Sequence, residues 1–147
     1  HAKAVMQVVA AGHGVDVSDG SSNQLPVGST EQVHAAWRVH VELVQRAFAR
    51  GLPAGWDLHP AQLVTRYLAA YDFYRRGLPA AAQRLRDYTA GVQRGVLDEP
   101  ATARALARFL LAGWDCGAFD EGEVAAATGF GAQVRTRLEA AVSTTAK

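Results

Sequence analysis

The stretch at residues 55–63 constrains the fold of this chain more than any other. It reads Gly-Trp-Asp-Leu-His-Pro-Ala-Gln-Leu, so that a short apolar run ends at His59 and Pro60 and a helix-forming sequence begins at once. This order is typical of a strand-to-helix junction, where α/β folds place groups that face ligands. His59 is therefore a candidate ligand-facing residue; the alternative is a structural cap of the following helix.

A helix and a strand are predicted before this junction. Residues 2–11 consist mainly of helix formers and predict a short helix, although Val8 and Val9 leave a strand open. In residues 15–18, apolar and polar residues alternate, which predicts a short strand. Asp19 follows it and begins a cluster of turn-forming residues. Asp19 thus follows a predicted strand, as His59 does.

A second helix and a second strand complete a βαβ unit. Ser29 and Gln32 have the spacing of a capping box, which predicts a helix from there to about Arg50. Residues 54–58 predict the next strand. Two parallel strands need further strands to form a stable sheet, so either those come from elsewhere or the strand predictions fail. The apolar positions of the helix predict its buried face at Val33, Trp37, Val41, Val44 and Phe48.

The rest of the sequence predicts only helices. Breaks are expected at Gly77 and Pro79, at residues 91–95, and at residues 129–131. Asp98 and Asp120 have the residue type and position of N-caps. The predicted helices span residues 60–76, 79–89, 98–113, 120–128 and 132–141.

Composition excludes several classes of function. A chain of 147 residues with 49% hydrophobic residues has the size and composition of one soluble domain, and no apolar run reaches the roughly 18 residues of a membrane span. The net charge of +1 gives little support to nucleic acid as a partner. Cys116 is the only cysteine, so no disulfide can form within the chain and a reducing, cytoplasmic location is expected.

Taken together, these stretches resemble the C-terminal part of the HpcH/HpaI aldolase and citrate lyase β-subunit superfamily, which includes the malyl-CoA lyases. Members carry Asp-Gly after the seventh barrel strand, which looks like Asp19-Gly20 here. They carry Gly-x-x-x-x-His-Pro-x-Gln at the eighth strand, similar to residues 55–62 with a slightly altered spacing before the histidine. Their helical segment Gly-x-x-x-Asp-x-Pro is similar to residues 95–100, with the glycine one place nearer the aspartate.

The resemblance implies an α/β fold in which the chain holds the last two strands of a (β/α)8 TIM barrel, followed by a helical lid. The barrel part is expected at residues 1–76 and the lid and oligomerisation region at residues 77–147, with the chain alone mostly α. The implied activity is that of a metal-dependent carbon–carbon lyase (aldolase) on a hydroxy or oxo acid or its CoA thioester. The implied site comprises Asp98 as lid acid or base, and substrate-binding Asp19, Ser22, Asn23, His59 and Gln62.

The resemblance also implies partners. The family uses a divalent cation, usually Mg²⁺, whose ligands come from earlier strands that this sequence lacks, so no metal ligand is predicted here and the chain is expected to be incomplete alone. The expected partners are a small-molecule substrate, the remainder of the barrel or a neighbouring subunit, and further copies in a homo-oligomer. Neither a membrane nor a nucleic acid is expected.

The rival interpretation is a small helical interaction module or a helix-turn-helix DNA-binding domain. Residues 121–138 read as a short helix, a glycine turn and a second helix carrying Arg135 and Arg137. The same pattern describes any helical hairpin, and the low net charge argues against DNA.

Overall fold

The chain is mostly helical, as predicted for the chain alone. The structure is a computed structural model that describes residues 2–13, 15–18, 22–53, 55–92 and 99–143. Single 3₁₀ turns at Pro60–Gln62 and Gly131–Gln133 precede the third and sixth helices. The α-helices are α1 (Ala2–His13), α2 (Thr30–Ala49), α3 (Leu63–Thr89), α4 (Pro100–Asp115), α5 (Glu121–Thr128) and α6 (Val134–Ser143).

The chain divides into two compact units, at His1–Ala70 and Tyr71–Lys147. We call them unit 1 and unit 2. Unit 1 contains α1, α2 and the start of α3, and unit 2 contains the rest of α3 and the three later helices. The predicted boundary between barrel part and lid, after residue 76, stays a prediction.

In unit 1, α2 begins where its capping signal predicted. The Ser29 side chain accepts a hydrogen bond from the Gln32 amide, and the Gln32 side chain accepts one from the Ser29 amide. These reciprocal bonds satisfy amides that lack partners at a helix start. The helix ends at Ala49, and Gly51 follows with φ of 72°, the left-handed conformation that glycine adopts without strain.

Unit 2 has an apolar core formed by its last three helices. α6 packs against α4 and α5, and the sequestered residues include Leu110, Val124 and Leu138. Phe119 lies in the connection between α4 and α5 and is buried, with its ring against Gly113 of α4. The N-cap Asp120 forms a capping box with Glu123, which confirms the predicted start of α5.

The two predicted strands are absent from the described residues. Residues 15–18 and 55–57 form neither helix nor strand, and no β-ladder occurs in the part of the chain that the structure describes. A strand is stabilised by hydrogen bonds to a neighbouring strand, and each of these segments lacks one here. The alternative strand at Val8 and Val9 is also wrong, because both residues lie within α1.

The predicted break at Gly77 and Pro79 is wrong as well, since α3 continues from Leu63 to Thr89. A proline inside a helix removes one backbone hydrogen bond and costs about 3 kcal/mol. Packing in unit 2 offsets this cost: Tyr74 and Leu85 of α3 are buried, and the ring of Phe109 lies directly against Gly77. Tertiary contacts of α3 therefore outweigh the local helix-breaking tendency of Gly77 and Pro79.

The start of α4 also differs from its prediction. Glu99 occupies the N-cap position, one residue after the predicted cap, and its side chain makes no capping hydrogen bond. Pro100 takes the first helical position, where a missing amide hydrogen is tolerated. Asp98 lies outside the described residues. Among the helices that the structure describes, none combines the length and the apolar character of a membrane span.

Candidate functional site

The side chain of Gln62 ties together two backbone segments of unit 1. Its Nε2 donates to the carbonyl oxygen of Ser22 at 2.9 Å and to that of Gln24 at 3.4 Å. Its Oε1 accepts from the amides of Leu58, at 2.8 Å, and His59, at 3.1 Å. Gln62 is completely buried, so these bonds replace hydration that the carboxamide has lost. We call this arrangement the Gln62 clamp.

His59 begins the 3₁₀ turn that leads into α3. Its Nδ1 accepts a hydrogen bond from the Ala61 amide at 3.2 Å, and Pro60 fills the first position of the turn. This is the capping contact that the sequence allowed as an alternative to a ligand-facing histidine. The predicted role of His59 in binding substrate stays a prediction.

The other predicted substrate-binding residues differ in their environments. Ser22 is buried, and its Oγ accepts a hydrogen bond from the Gln24 amide at 3.0 Å. Asn23, next to it, is exposed. Asp19 lies outside the described residues, as does the predicted acid or base Asp98. The structure therefore brings Ser22, His59 and Gln62 together through the Gln62 clamp.

A buried polar cluster that sequence reasoning missed lies on the other side of the same junction. The carboxylate of Asp57 accepts from Arg66 Nε at 3.1 Å and from Arg66 Nη2 at 2.9 Å. The Nε2 of His40 lies 2.9 Å from the same carboxylate, and its Nδ1 lies 2.8 Å from the hydroxyl of Thr65. We call these four residues the Asp57 cluster. They connect α2, the segment before His59 and the first turn of α3.

The electrostatics of the cluster favour an ionised Asp57. Burial by itself raises the pKa of this carboxyl group, but the hydrogen bonds and positive charge of Arg66, together with those of His40, lower the pKa below its usual value of 3.8. A bidentate arginine–carboxylate pair has the strongest geometry available to such an ion pair. Asp57 is therefore held as a carboxylate.

The hydroxyl of Thr65 has one hydrogen and two neighbouring acceptors. It donates to the Gln62 carbonyl at 2.9 Å when His40 is protonated on both nitrogens. It donates to His40 Nδ1 when that nitrogen carries no hydrogen. Every buried side-chain polar atom among the described residues has a hydrogen bond.

The helical pair α5–α6 of unit 2 resembles a helix-turn-helix only in outline. Gly129 ends α5 at the predicted break, and it adopts the left-handed conformation. Arg135 forms ion pairs with Asp115, at 3.1 Å, and Glu139, at 3.0 Å, and its guanidinium lies over the ring of Trp114. Arg137 lies over the ring of Phe130. Both arginines thus contact other side chains of unit 2, and the helix-turn-helix interpretation stays an alternative.

In the described ranges, no group of three or more His, Cys, Asp or Glu side chains has a geometry that could hold a metal ion. These residues by themselves do not fit the Mg²⁺ that the resemblance implies.

The comparisons with known proteins place the chain in a family. The fold defines a mostly helical protein in which three of the predicted binding residues, Ser22, His59 and Gln62, meet at a loop-to-helix junction. The model of a domain of unknown function, DUF6986, matches residues 1–142, and the chain belongs to that family. No curated protein and no solved structure matches it.

Proposed function

We propose that this chain is part of a carbon–carbon lyase (aldolase) that acts on a hydroxy or oxo acid or its CoA thioester. In this proposal, residues 1–76 supply the end of a TIM barrel and residues 77–147 a helical lid. Asp98 acts from the lid as an acid or base on the site of a neighbouring subunit. The substrate pocket is lined by Asp19, Ser22, Asn23, His59 and Gln62.

The Gln62 clamp is the observation that carries the proposal. In the superfamily that the sequence resembles, the segments after the last two barrel strands lie side by side at the carboxyl end of the barrel. Here Gln62 Nε2 lies 2.9 Å from the Ser22 carbonyl oxygen, and Gln62 Oε1 lies 3.1 Å from the His59 amide nitrogen. This proximity supports the pairing of the two motifs, although they are about 40 residues apart in the sequence. It also assigns Gln62 a positioning role for both segments.

Exposed apolar side chains on the two predicted strand segments give a second line of support. Val15 is 59% exposed, Trp56 is 56% exposed and Leu58 is 49% exposed. In a barrel, neighbouring strands and helices cover such side chains. We propose that the remainder of the barrel supplies this cover, and that it also supplies the ligands of Mg²⁺. The latter are not expected from the described residues.

The chemistry asked of Asp98 is a proton transfer. In the cleavage of a 4-hydroxy-2-oxo acid, a base removes the proton of the 4-hydroxyl group and the C3–C4 bond breaks. The 4-carbon leaves as an aldehyde carbonyl, and the electron pair of the broken bond forms the enolate of pyruvate. A proton then returns to C3. A carboxylate that accepts the first proton and donates the second accounts for both transfers, and such acid–base assistance contributes about 10²- to 10⁴-fold in rate.

The test compares two neighbouring carboxylates. Asp98→Asn removes the proposed acid or base, whereas Glu99→Gln removes the same charge from an exposed N-cap whose side chain makes no capping bond. The protein, complete with any co-purifying polypeptide and with Mg²⁺ added, is assayed for pyruvate release from 4-hydroxy-2-oxo acids and acetyl-CoA release from malyl-CoA. We expect at least about 100-fold lower turnover for Asp98→Asn and near-normal turnover for Glu99→Gln. Full turnover in Asp98→Asn would reduce this residue to a structural role, and no turnover in the unmodified protein would contradict the lyase proposal.

A second candidate function is a helical interaction module without catalysis. The exposed apolar side chains of α1 favour it: Val5, Met6, Val8 and Val9 are each at least 48% exposed. Patches of this kind mark surfaces that bind other proteins. The same assay separates the two functions, since a module of this kind has no turnover with any substrate in the series.

A further inference from the structure

A groove between α2 and the start of α3 is a feature that the proposed lyase function does not use. It has a volume of about 400 Å³, opens to solvent and has a predominantly apolar lining. All of its lining residues belong to unit 1. They are His34, Trp37, Arg38, Val41, Glu42, Thr65 and Leu68.

The walls of the groove are fixed before anything binds. The indole Nε1 of Trp37 donates to the carbonyl oxygen of Ala61 at 2.8 Å, which ties α2 to the turn before α3. The ring of His34 stacks on Trp37, with 5.8 Å between centroids and an interplanar angle of 23°. Because Trp37 is held at both its polar edge and its face, the groove is preformed. A preformed surface loses little conformational entropy on binding.

An apolar stripe on α3 borders the groove. Val64 and Leu68 lie four residues apart, so they occupy the same face of the helix, and they are 58% and 60% exposed. Leu68 also lines the groove. Contact between these apolar side chains and water is unfavourable, and an apolar surface of a binding partner would displace that water.

The charged residues beside the groove indicate which binding partner fits it. Arg38 and Glu42 both line the groove, both are exposed, and they lie four residues apart on α2 with opposite signs. When a second α2 lies antiparallel across the first about a twofold axis between these residues, each Arg38 faces Glu42 of the other copy. A twofold contact repeats every pair, so the two attractions form together. The rotation also brings the two α3 stripes to the same side, where they face each other.

We propose that this face, which comprises the groove and the Val64–Leu68 stripe, binds a second copy of this chain. The two α2 helices are antiparallel, Arg38 of each copy pairs with Glu42 of the other, and Val64 and Leu68 of both copies close the facing grooves. This inference does not depend on the lyase proposal, because it concerns association and not turnover.

Charge reversal tests the geometry. In a dimer of Arg38→Glu, both contacts between positions 38 and 42 bring two negative charges together. In a dimer of Glu42→Arg, both contacts bring two positive charges together. Mixing the two variants restores both attractive pairs in a heterodimer. The control is Arg108→Glu, the same reversal on an exposed position of α4 in unit 2. Sedimentation velocity at low salt, where exposed charges are least screened, gives the dimer dissociation constant of each sample.

We expect the unmodified chain and Arg108→Glu to dimerise with similar dissociation constants. Each of the two single variants should dimerise at least about tenfold more weakly, and their equimolar mixture should recover the original affinity. Recovery in the mixture also shows that both variants are folded. A monomeric unmodified chain would overturn the proposal and leave the groove to another occupant. Single variants that dimerise normally, or a mixture that does not recover, would equally overturn it.

Discussion

The guanidinium of Arg66 donates two hydrogen bonds to the carboxylate of Asp57, at 2.9 and 3.1 Å, and the Asp57 side chain is only 8% exposed. His40, which is completely buried, approaches the same carboxylate from α2. Arg66 and His40 therefore join the segment before His59 to the first turn of α3 and to the middle of α2. The Asp57 cluster therefore anchors the backbone two residues before His59 to both helices of unit 1 that flank it.

Asp57→Asn should destabilise the protein in a pH-dependent manner. The folded-state pKa of Asp57 lies below its usual value of 3.8, so its contribution to stability is present above that value and is lost as the pH falls through the lowered pKa. At about pH 7 we expect the substitution to lower the free energy of unfolding by about 2 kcal/mol, because hydrogen bonds to charged groups are lost. Urea denaturation between about pH 2 and pH 7 measures the difference, which should shrink below about pH 4.

The matched control is Asp72→Asn, which removes the carboxylate of an exposed pair with Arg76 on α3. Its effect should stay below about 0.5 kcal/mol. A difference between unmodified protein and Asp57→Asn that does not change with pH would contradict the role given to the ionised carboxylate.

Gln62→Leu should destabilise the protein without changing the volume of the side chain greatly. The substitution leaves the amides of Leu58 and His59 and the carbonyl of Ser22 without their buried partner. We expect a loss of about 3 kcal/mol in the free energy of unfolding, since each unsatisfied buried group costs about 1–3 kcal/mol. Gln45→Leu, at an exposed position of α2, should change it by less than about 0.5 kcal/mol. Equal effects at the two positions would show that the clamp contributes nothing.

Gly113→Ala should destabilise the core of unit 2. A Cβ atom at this position would collide with the ring of Phe119, which is itself buried. We expect a cost of about 2 kcal/mol, typical of overpacking. Gly12→Ala in α1 is the control, because a Cβ there meets no atom within 4 Å, and it should leave stability unchanged or slightly raised. Thermal unfolding that is unaffected by Gly113→Ala would contradict the packing described for α4.

The features that could be predicted from the sequence are those with local causes. The capping boxes at Ser29 and Asp120 involve residues three positions apart, so the starts of these helices could be predicted from the sequence alone. The continuation of α3 through Gly77 and Pro79 was not, because it depends on the ring of Phe109, more than thirty residues away in the sequence. Strand formation depends on hydrogen bonds to a neighbouring strand, and a local sequence pattern does not show whether that neighbour is present.

The Asp57 cluster was missed for a related reason. The predicted face of α2 was centred on its large apolar residues, whereas the buried positions include Ala36, His40 and Ala47. A polar residue at a helical spacing among small residues was the available signal. Its meaning depends on Asp57 and Arg66, which approach only in the fold. Trp37 and Val41, predicted as core, instead line the groove between α2 and α3.

Hydrogen exchange tests the proposed carbon–carbon lyase chemistry directly, and it needs no knowledge of the aldehyde. An aldol cleavage of the metal-dependent type that releases pyruvate or acetyl-CoA passes through the enolate of that product, so the enzyme should exchange the methyl hydrogens of the product with solvent. Pyruvate and acetyl-CoA are each incubated in D₂O with the protein and Mg²⁺, and proton NMR follows the methyl signal. We expect one of the two methyl signals to disappear with the unmodified protein and with Glu99→Gln, and to disappear about 100-fold more slowly with Asp98→Asn. A methyl signal that persists for both compounds at the rate of the protein-free control would contradict the lyase proposal.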